Sequence, residues 1–509
     1  MSELRTLLHY GSIRDGRVSV EWGAVRSNLL ALRPPRLLSA DQLARIHEAA
    51  VRVVTAQGLR VRHGAAREAA ARAGLRVDGE RVFPDRQQVE ELTAGRGAAR
   101  PEDGVPTEAG IGVPGSAGFG DPALQLQLTV PKYCEFVHDL DRDEVVPLTA
   151  ERLIEATKLV DTMAARNVYG SAPGIPTDVP PPLQRLAQCR IGAQYSRHGR
   201  TPNVEELSPR AFPYLLDMAE ALGSPYRYHV VYVVSPLTLS GESCEGLAAI
   251  LPRLESIHVS NMLSVGGTAP IRLADALALA AAEAMGASLV MAAFSRLPVD
   301  WSVRVCPFDP RTMALSLGGP EEVLFQRASD EVTAWYQGRE PGPPSGMLHS
   351  RAKLPDAQAA AERMCLLLFG ALGGTRSFSG AGMLSLDEVF SGEQLMVDCE
   401  MRDHVQRLLQ GADTDCDPAA AAAEIAAGLE QGFLGLESTA SAYRQVYWLP
   451  TLFLRDSFAS WKAAGASRLG ERAREMVREC LRRHDYELAP EIRRELDRIY
   501  ARAERDLLG

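Results

Sequence analysis

Apolar residues recur at helical spacing through Leu43, Ile46, Ala50, Val53 and Val54, directly after Ser39-Ala40-Asp41-Gln42, and the run stops at Gly58. A serine ahead of such a run with glutamine three residues on forms a capping box, so the pattern predicts a helix closed by a glycine. A second helix near 65 to 73, a turn at Asp78-Gly79 and a helix from Asp85 complete an N-terminal helical region. The Arg-rich lead-in of residues 1 to 37 carries no readable element. Gly, Pro and Ala crowd Gly95 to Asp121, which reads as loop. Residues 123 to 147 alternate and turn at Asp141-Arg142-Asp143, which predicts a hairpin.

After Thr149, a helix N-cap, short apolar runs alternate with helical patterns. The predicted strands are Asn167 to Ser171, Thr201 to Val204, His229 to Val234, His258 to Ser264, Ser288 to Ala293, Ser302 to Val305, Gly346 to His349 and Thr375 to Ser379. Helix signals stand between them: Ser208-Pro209, a stop at Gly223, Ser240, Asp356, and a second capping box at Ser391-Gly392-Glu393-Gln394. Eight βα units fit residues 167 to 410, close to the roughly 250 residues of a (β/α)8 TIM barrel. A doubly wound sheet is the alternative architecture. The expected organisation is an N-terminal helical and hairpin region (1–150), the barrel (151–410) and a C-terminal helical extension (411–509).

Composition narrows the function classes. A hydrophobic fraction of 46% and a charged fraction of 24% are those of a globular protein. No uninterrupted apolar run reaches the roughly 18 residues of a membrane span, and the N-terminus lacks a secretory core, so a cytoplasmic location is expected. The net charge of -10 argues against general nucleic-acid binding. Eight scattered cysteines without a CxxC pair read as buried apolar fillers. The ten histidines form no HxH or HExxH, so no zinc site is predicted.

Several residues fall where barrel strands are predicted to end, the position at which such folds place function. They are Ser235, Phe294, Phe308, His349, Arg351 and Ser379. His349 is either a functional group or a satisfied buried histidine, and Arg351 either grips a carboxylate or is solvated. Aromatic faces at Phe294 and Phe308 are of the kind that hold a quaternary ammonium, although aromatics more often fill cores. Gly266-Gly267 lacks a phosphate-loop lysine and reads as a loop needing close backbone approach.

Eight segments together carry a resemblance. They are LSADQLARIHEAAVRVVTAQGLRV (38–61), GIPTDVPP (174–181), SPLTLS (235–240), GGTAPIRLADAL (266–277), AKLPDAQAAAERM (352–364), SFSGAG (377–382), FSGEQLMVDCEM (390–401) and SFASWKAAGA (457–466). In this order they resemble the trimethylamine methyltransferase family. The resemblance implies a (β/α)8 barrel and methyl transfer from a methylated amine to the cobalt of a cobalamin carried by a separate corrinoid protein. No pyrrolysine is written in the chain, so it is similar to the branch whose members demethylate quaternary amines such as glycine betaine. Under that resemblance Phe294 and Phe308 are cage candidates, His349 and Arg351 carboxylate or hydrogen-bond partners, and Ser235 and Ser379 lining. Gly266, Gly267, Gly380 and Gly382 would let the corrin approach. Self-association is a further family-level expectation. The chain departs from the family pattern at Ala360 and Ser385.

Two other functions compete with this one: a barrel methyltransferase with another N-methyl donor or a non-corrinoid acceptor such as a folate, and a non-catalytic barrel binding a cationic ligand or cobalamin.

Overall fold

Ser39 caps the helix Ala40–Gln57 through the predicted box, and the chain leaves it at Gly58 with φ 63°. The buried stripe of this helix lies along the helix Leu273–Ser295, which ties the N-terminal region to the centre of the molecule. The computed structural model describes residues 36–95, 125–200, 209–412 and 414–509. The predicted strand at 201–204, the cap at Ser208 and most of the 95–121 loop lie outside these residues. Between the early helices the chain also forms a small sheet. Leu59–Val61 pairs antiparallel with Arg81–Phe83 and parallel with Thr238–Leu239, so the N-terminal region is not purely helical.

Residues 123–147 divide into two structures. The predicted hairpin forms from Phe136–Asp139 and Glu144–Pro147, with Asp143 at φ 56° in the turn. Ahead of it, Gln127–Thr129 is a strand of its own. It sits between Val168–Tyr169 and Ser377–Ser379, parallel to both, and Met347 bridges onto the far side of Ser379. A second parallel sheet has the order Val299–Trp301, Ser256–Ser260, Tyr228–Tyr232. Beyond its strand ends, Leu263–Val265 runs parallel to Val305–Asp309. The fold is mixed α/β, and among the described residues no ladder joins the two parallel sheets.

Two predicted strands do not form where expected: of Ser302 to Val305, residues 302–304 only link Val299–Trp301 to Val305–Asp309, and the other is helical. Ser288–Ala293 lies inside the 23-residue helix Leu273–Ser295. An apolar run without periodicity fits a buried helix as well as a strand, and length decides between them. This helix is long and apolar enough to cross a membrane by length and composition, and most of it is buried within the protein. The cysteines also need correcting. Five are buried and Cys480 is half-buried, but Cys365 and Cys416 are exposed.

Beyond Asp417 the described elements are helical. Leu469–Arg482 packs on Gly392–Leu409 and Ala150–Thr162, while Pro490–Leu508 packs on Phe212–Ala221.

Candidate functional site

Each parallel strand has one face buried against helices and one face that is polar and partly open, because side chains alternate along a strand. In the second sheet Val231, Ile257, Val259 and Trp301 point into the core. Tyr228, Tyr232, Ser256, His258, Ser260 and Asp300 share the other face by register. Tyr228 and Tyr232 are exposed there. In the first sheet Leu128, Val168 and Phe378 are buried, and Gln127, Thr129, Tyr169, Ser377 and Ser379 share the open face.

His258 bridges neighbouring strands on the open face. Its Nε2 lies 2.9 Å from Ser302 Oγ and its Nδ1 3.4 Å from Asp300 Oδ2. Burial pushes the Asp300 carboxyl up, but the bond and charge of His258, with the Trp301 amide and Gln337, together outweigh it and hold the group below its ordinary value.

At the C-terminal ends of these strands the loops converge on Glu283. Its fully buried carboxylate accepts from Ser235 Oγ at 2.9 Å, from the Leu237 amide at 2.8 Å and from Asn261 Nδ2 at 3.2 Å. Asn261 in turn accepts the Arg304 amide at 3.0 Å. Burial pushes the Glu283 carboxyl up to about 7 despite these three donors. Ser235 is therefore committed to a buried partner.

His349 follows the Met347 bridge, and its Nδ1 bonds Glu322 at the start of the helix Pro320–Tyr336. Glu322 also accepts the Gly318 amide at 2.6 Å. Next to it, Glu362 accepts Ser350 Oγ at 2.6 Å and the Arg351 amide at 2.9 Å. The side chains of Arg351 and Arg304 form no ion pair among the described residues, and both are half-buried. Burial pushes the Cys306 thiol up to about 11, with the Arg304 charge opposing this and the Glu322 charge adding to it.

The remaining predicted residues divide. Ser379 ends its strand beside Met347. Phe308 lies in Val305–Asp309 beyond the strand ends, where a Cβ on Gly267 would stand 3.3 Å from its ring. Phe294 is not brought to the strand ends. It sits on the helix Leu273–Ser295, with its ring 5.3 Å from that of His63. Side chains of the chain itself fill the space beside the other glycines: Ile271 at Gly266, Met383 at Gly380, Phe390 at Gly382. An apolar rim stands exposed around the strand ends instead, with Val234 at 52%, Met262 at 49%, Ile271 at 70% and Met313 at 74%. Among the described residues no three His, Cys, Asp or Glu side chains are grouped as a metal site.

Sequence reasoning missed Glu283, Asn261, Glu322 and the tyrosines. Glu283 left a signal, since it is the one charged residue between Ala276 and Ser295. The others are ordinary residues until the fold brings them together.

A family model described as trimethylamine methyltransferase (MTTB) matches residues 14–507. Trimethylamine methyltransferase MttB of Methanosarcina barkeri is 30% identical over 274 residues, which are 53% of this chain and 54% of that one. The match thus spans about half the length of that relative. Glycine betaine methyltransferase of Desulfitobacterium hafniense (strain Y51) is 24% identical over 443 residues, 84% of this chain and 88% of that one. The Methanosarcina barkeri monomethylamine methyltransferase (MtmB) crystal structure aligns over 88% of both chains with a TM-score of 0.42 and 10% identity.

Proposed function

Because the chain belongs to the trimethylamine methyltransferase family, we propose that it transfers a methyl group from a betaine-like quaternary amine to the Co(I) of a corrinoid protein. We take its two parallel sheets to be arcs of one (β/α)8 barrel, with the methyl donor held on their open polar faces. The observation that carries this reading is the polar face of the second sheet, where Tyr228 and Tyr232 stand on one face with His258 and Asp300, together with two half-buried guanidinium groups, Arg304 and Arg351, that form no ion pair among the described residues. Aromatic faces attract a quaternary ammonium, and a guanidinium fork fits a carboxylate.

The chemistry asks little of the protein beyond this. A quaternary nitrogen already carries the positive charge, so it departs as a neutral amine without a proton. The chain's contribution is to position the donor and exclude water. His349, held by Glu322, and Ser379 line the donor's position. The apolar rim of Val234, Met262, Ile271 and Met313 fits the flat apolar edge of a corrin better than Gly266, Gly267, Gly380 and Gly382, whose neighbouring space is already filled. When docked, the corrinoid supplies the nucleophilic cobalt.

The test combines the purified protein with reduced cobalamin and a panel of glycine betaine, choline and trimethylamine. Absorbance of methylated cobalamin with glycine betaine is expected. Its absence with every donor rejects methyl transfer, and calorimetric binding without turnover marks a binding protein instead. The trimethylamine relative at 30% identity favours a second reading, a donor without a carboxylate. Turnover of trimethylamine alone would establish that one.

A further inference from the structure

Arg304 and Arg351 sit in stretches with the same alternation. Trp301, Val303 and Val305 are buried while Ser302 and Arg304 are half-buried, and Leu348, Ser350 and Ala352 are buried while His349 and Arg351 are half-buried. Val303 and Val305 belong to the core, so Ser302 and Arg304 turn the other way, and Ser302 meets His258 on the open face. Alternation thus puts Arg304 on that face, and Arg351 on the side that carries His349.

Groups from other segments hold the main chain at both points. At Arg304 each of the two flanking peptide groups is bonded at both ends. The Val303 carbonyl accepts from Thr333 Oγ1 at 3.4 Å, and the Arg304 amide donates to Asn261 Oδ1 at 3.0 Å. The Arg304 carbonyl accepts the Leu263 amide at 3.3 Å, and the Val305 amide donates to Ser329 Oγ at 3.2 Å. At Arg351 the Ser350 carbonyl accepts the Leu386 amide at 2.7 Å, and the Arg351 amide donates to Glu362 Oε2 at 2.9 Å. Because the peptide group is planar, gripping it at both ends fixes the direction in which the next side chain leaves.

The two holding side chains are themselves fixed. Asn261 is fully buried, and its Nδ2 donates to the Ala280 carbonyl at 2.7 Å and to Glu283 at 3.2 Å. Both amide hydrogens are thereby committed, so only Oδ1 is left to face Arg304. Glu362 Oε2 accepts Ser350 Oγ at 2.6 Å beside the Arg351 amide, and Gln358 donates to its other oxygen at 2.8 Å. An arginine side chain loses much rotamer freedom when it grips a ligand, and a fixed backbone reduces that cost. Merely tying strand ends together would serve every ligand alike.

Given a betaine-like donor, on which this rests, we propose that Asn261 and Glu362 are positioning residues that aim Arg304 and Arg351 at the donor's carboxylate. Glu283 acts one step further back, by fixing which way the Asn261 amide faces. The consequence is selectivity: both residues strengthen binding of a quaternary amine that bears a carboxylate and do nothing for one without it.

Calorimetric titration of the full-length protein with glycine betaine and with choline tests this without requiring turnover. The wild type is expected to bind glycine betaine more tightly, and Arg304→Ala and Arg351→Ala should each lose about tenfold for it alone. Asn261→Leu and Glu362→Leu should weaken glycine betaine about fivefold and leave choline nearly unchanged. Glu362→Gln keeps an oxygen for the Arg351 amide and should bind like the wild type. Asn261→Leu added to Arg304→Ala should cost nothing further, because a positioning residue has no effect once its arginine is gone. No preference in the wild type, or an unchanged preference in both arginine variants, would overturn the carboxylate reading and this inference with it. A preference lost in the arginine variants but kept in both leucine variants would overturn the positioning role alone, as would equal losses for the two ligands or additive losses in the double variant. Circular dichroism checks that each variant is folded, and if Asn261→Leu is not, the two Glu362 variants decide.

Discussion

Arg363 and Asp398 meet with no exposure on either side chain, the arginine Nε–H donating to the carboxylate at 2.7 Å. The same guanidinium donates to the carbonyls of Met383 and Gly380, each at 2.8 Å, while Asp398 accepts the Gly382 amide at 2.7 Å. The pair clamps the 380–383 turn to two helices. Removing one partner leaves the other charge buried and unpaired, which costs about 3–5 kcal/mol. Arg363→Ala should lower the urea midpoint by a corresponding amount. Arg363→Lys should recover little, because an ammonium cannot reproduce the fork.

Glu283 makes stability depend on pH. Burial raises its carboxyl from 4.5 to about 7, so between these values the folded chain keeps a proton that the unfolded chain has released. Its contribution is present in full below the unfolded value and is lost as pH rises through the folded one, at up to about 1.4 kcal/mol per pH unit. From about pH 5 to about pH 8 the wild-type melting temperature should fall relative to that of Glu283→Gln, which does not titrate. Parallel pH profiles for the two proteins would remove this role.

A carboxylate on the donor separates the two guanidinium groups from the rest of the site. Arg351→Ala and Arg304→Ala should each raise KM for glycine betaine by about tenfold or more, the scale of a charge-assisted hydrogen bond, and leave KM for choline nearly unchanged. Equal effects on both substrates would show that neither arginine grips the carboxylate.

Two glycines with similar backbone angles should respond differently to alanine. Gly382 has φ 77°, and a Cβ there would meet Phe390 at 2.8 Å and the Ser391 carbonyl at 3.0 Å. Gly79 has φ 58° with nothing within 4 Å. Gly79→Ala should cost about 1 kcal/mol from backbone strain alone, and Gly382→Ala clearly more, measured by thermal or urea unfolding.

Local signals were legible wherever one residue type does one job. The caps at Ser39, Thr149, Ser240, Asp356 and Ser391 all form, because a side-chain oxygen beside an unpaired amide needs no tertiary context. The strand Gln127–Thr129 was hidden inside an apparent hairpin, since three residues carry too short an alternation to be separated from the next strand. Ser288–Ala293 misled because apolar side chains all around a helix erase its period. Ser235, Ser379 and His349 stand near strand ends as the reasoning placed them, but the partners of Ser235 and His349, Glu283 and Glu322, come from distant helices and had no sequence signal linking them. Phe294 failed with the strand that was meant to carry it.

The helix Leu273–Ser295 has a consequence for how the chain is made. As it leaves the ribosome it is a long greasy segment, acceptable to a bilayer or to another exposed chain. Its cover, the helices Ala40–Gln57 and Gly64–Arg72, has already been synthesised by then. The order of translation therefore delivers the shield before the hazard. A chain shortened from its N-terminus past Arg72 would release that segment unprotected, and should be recovered in the pellet or with membranes.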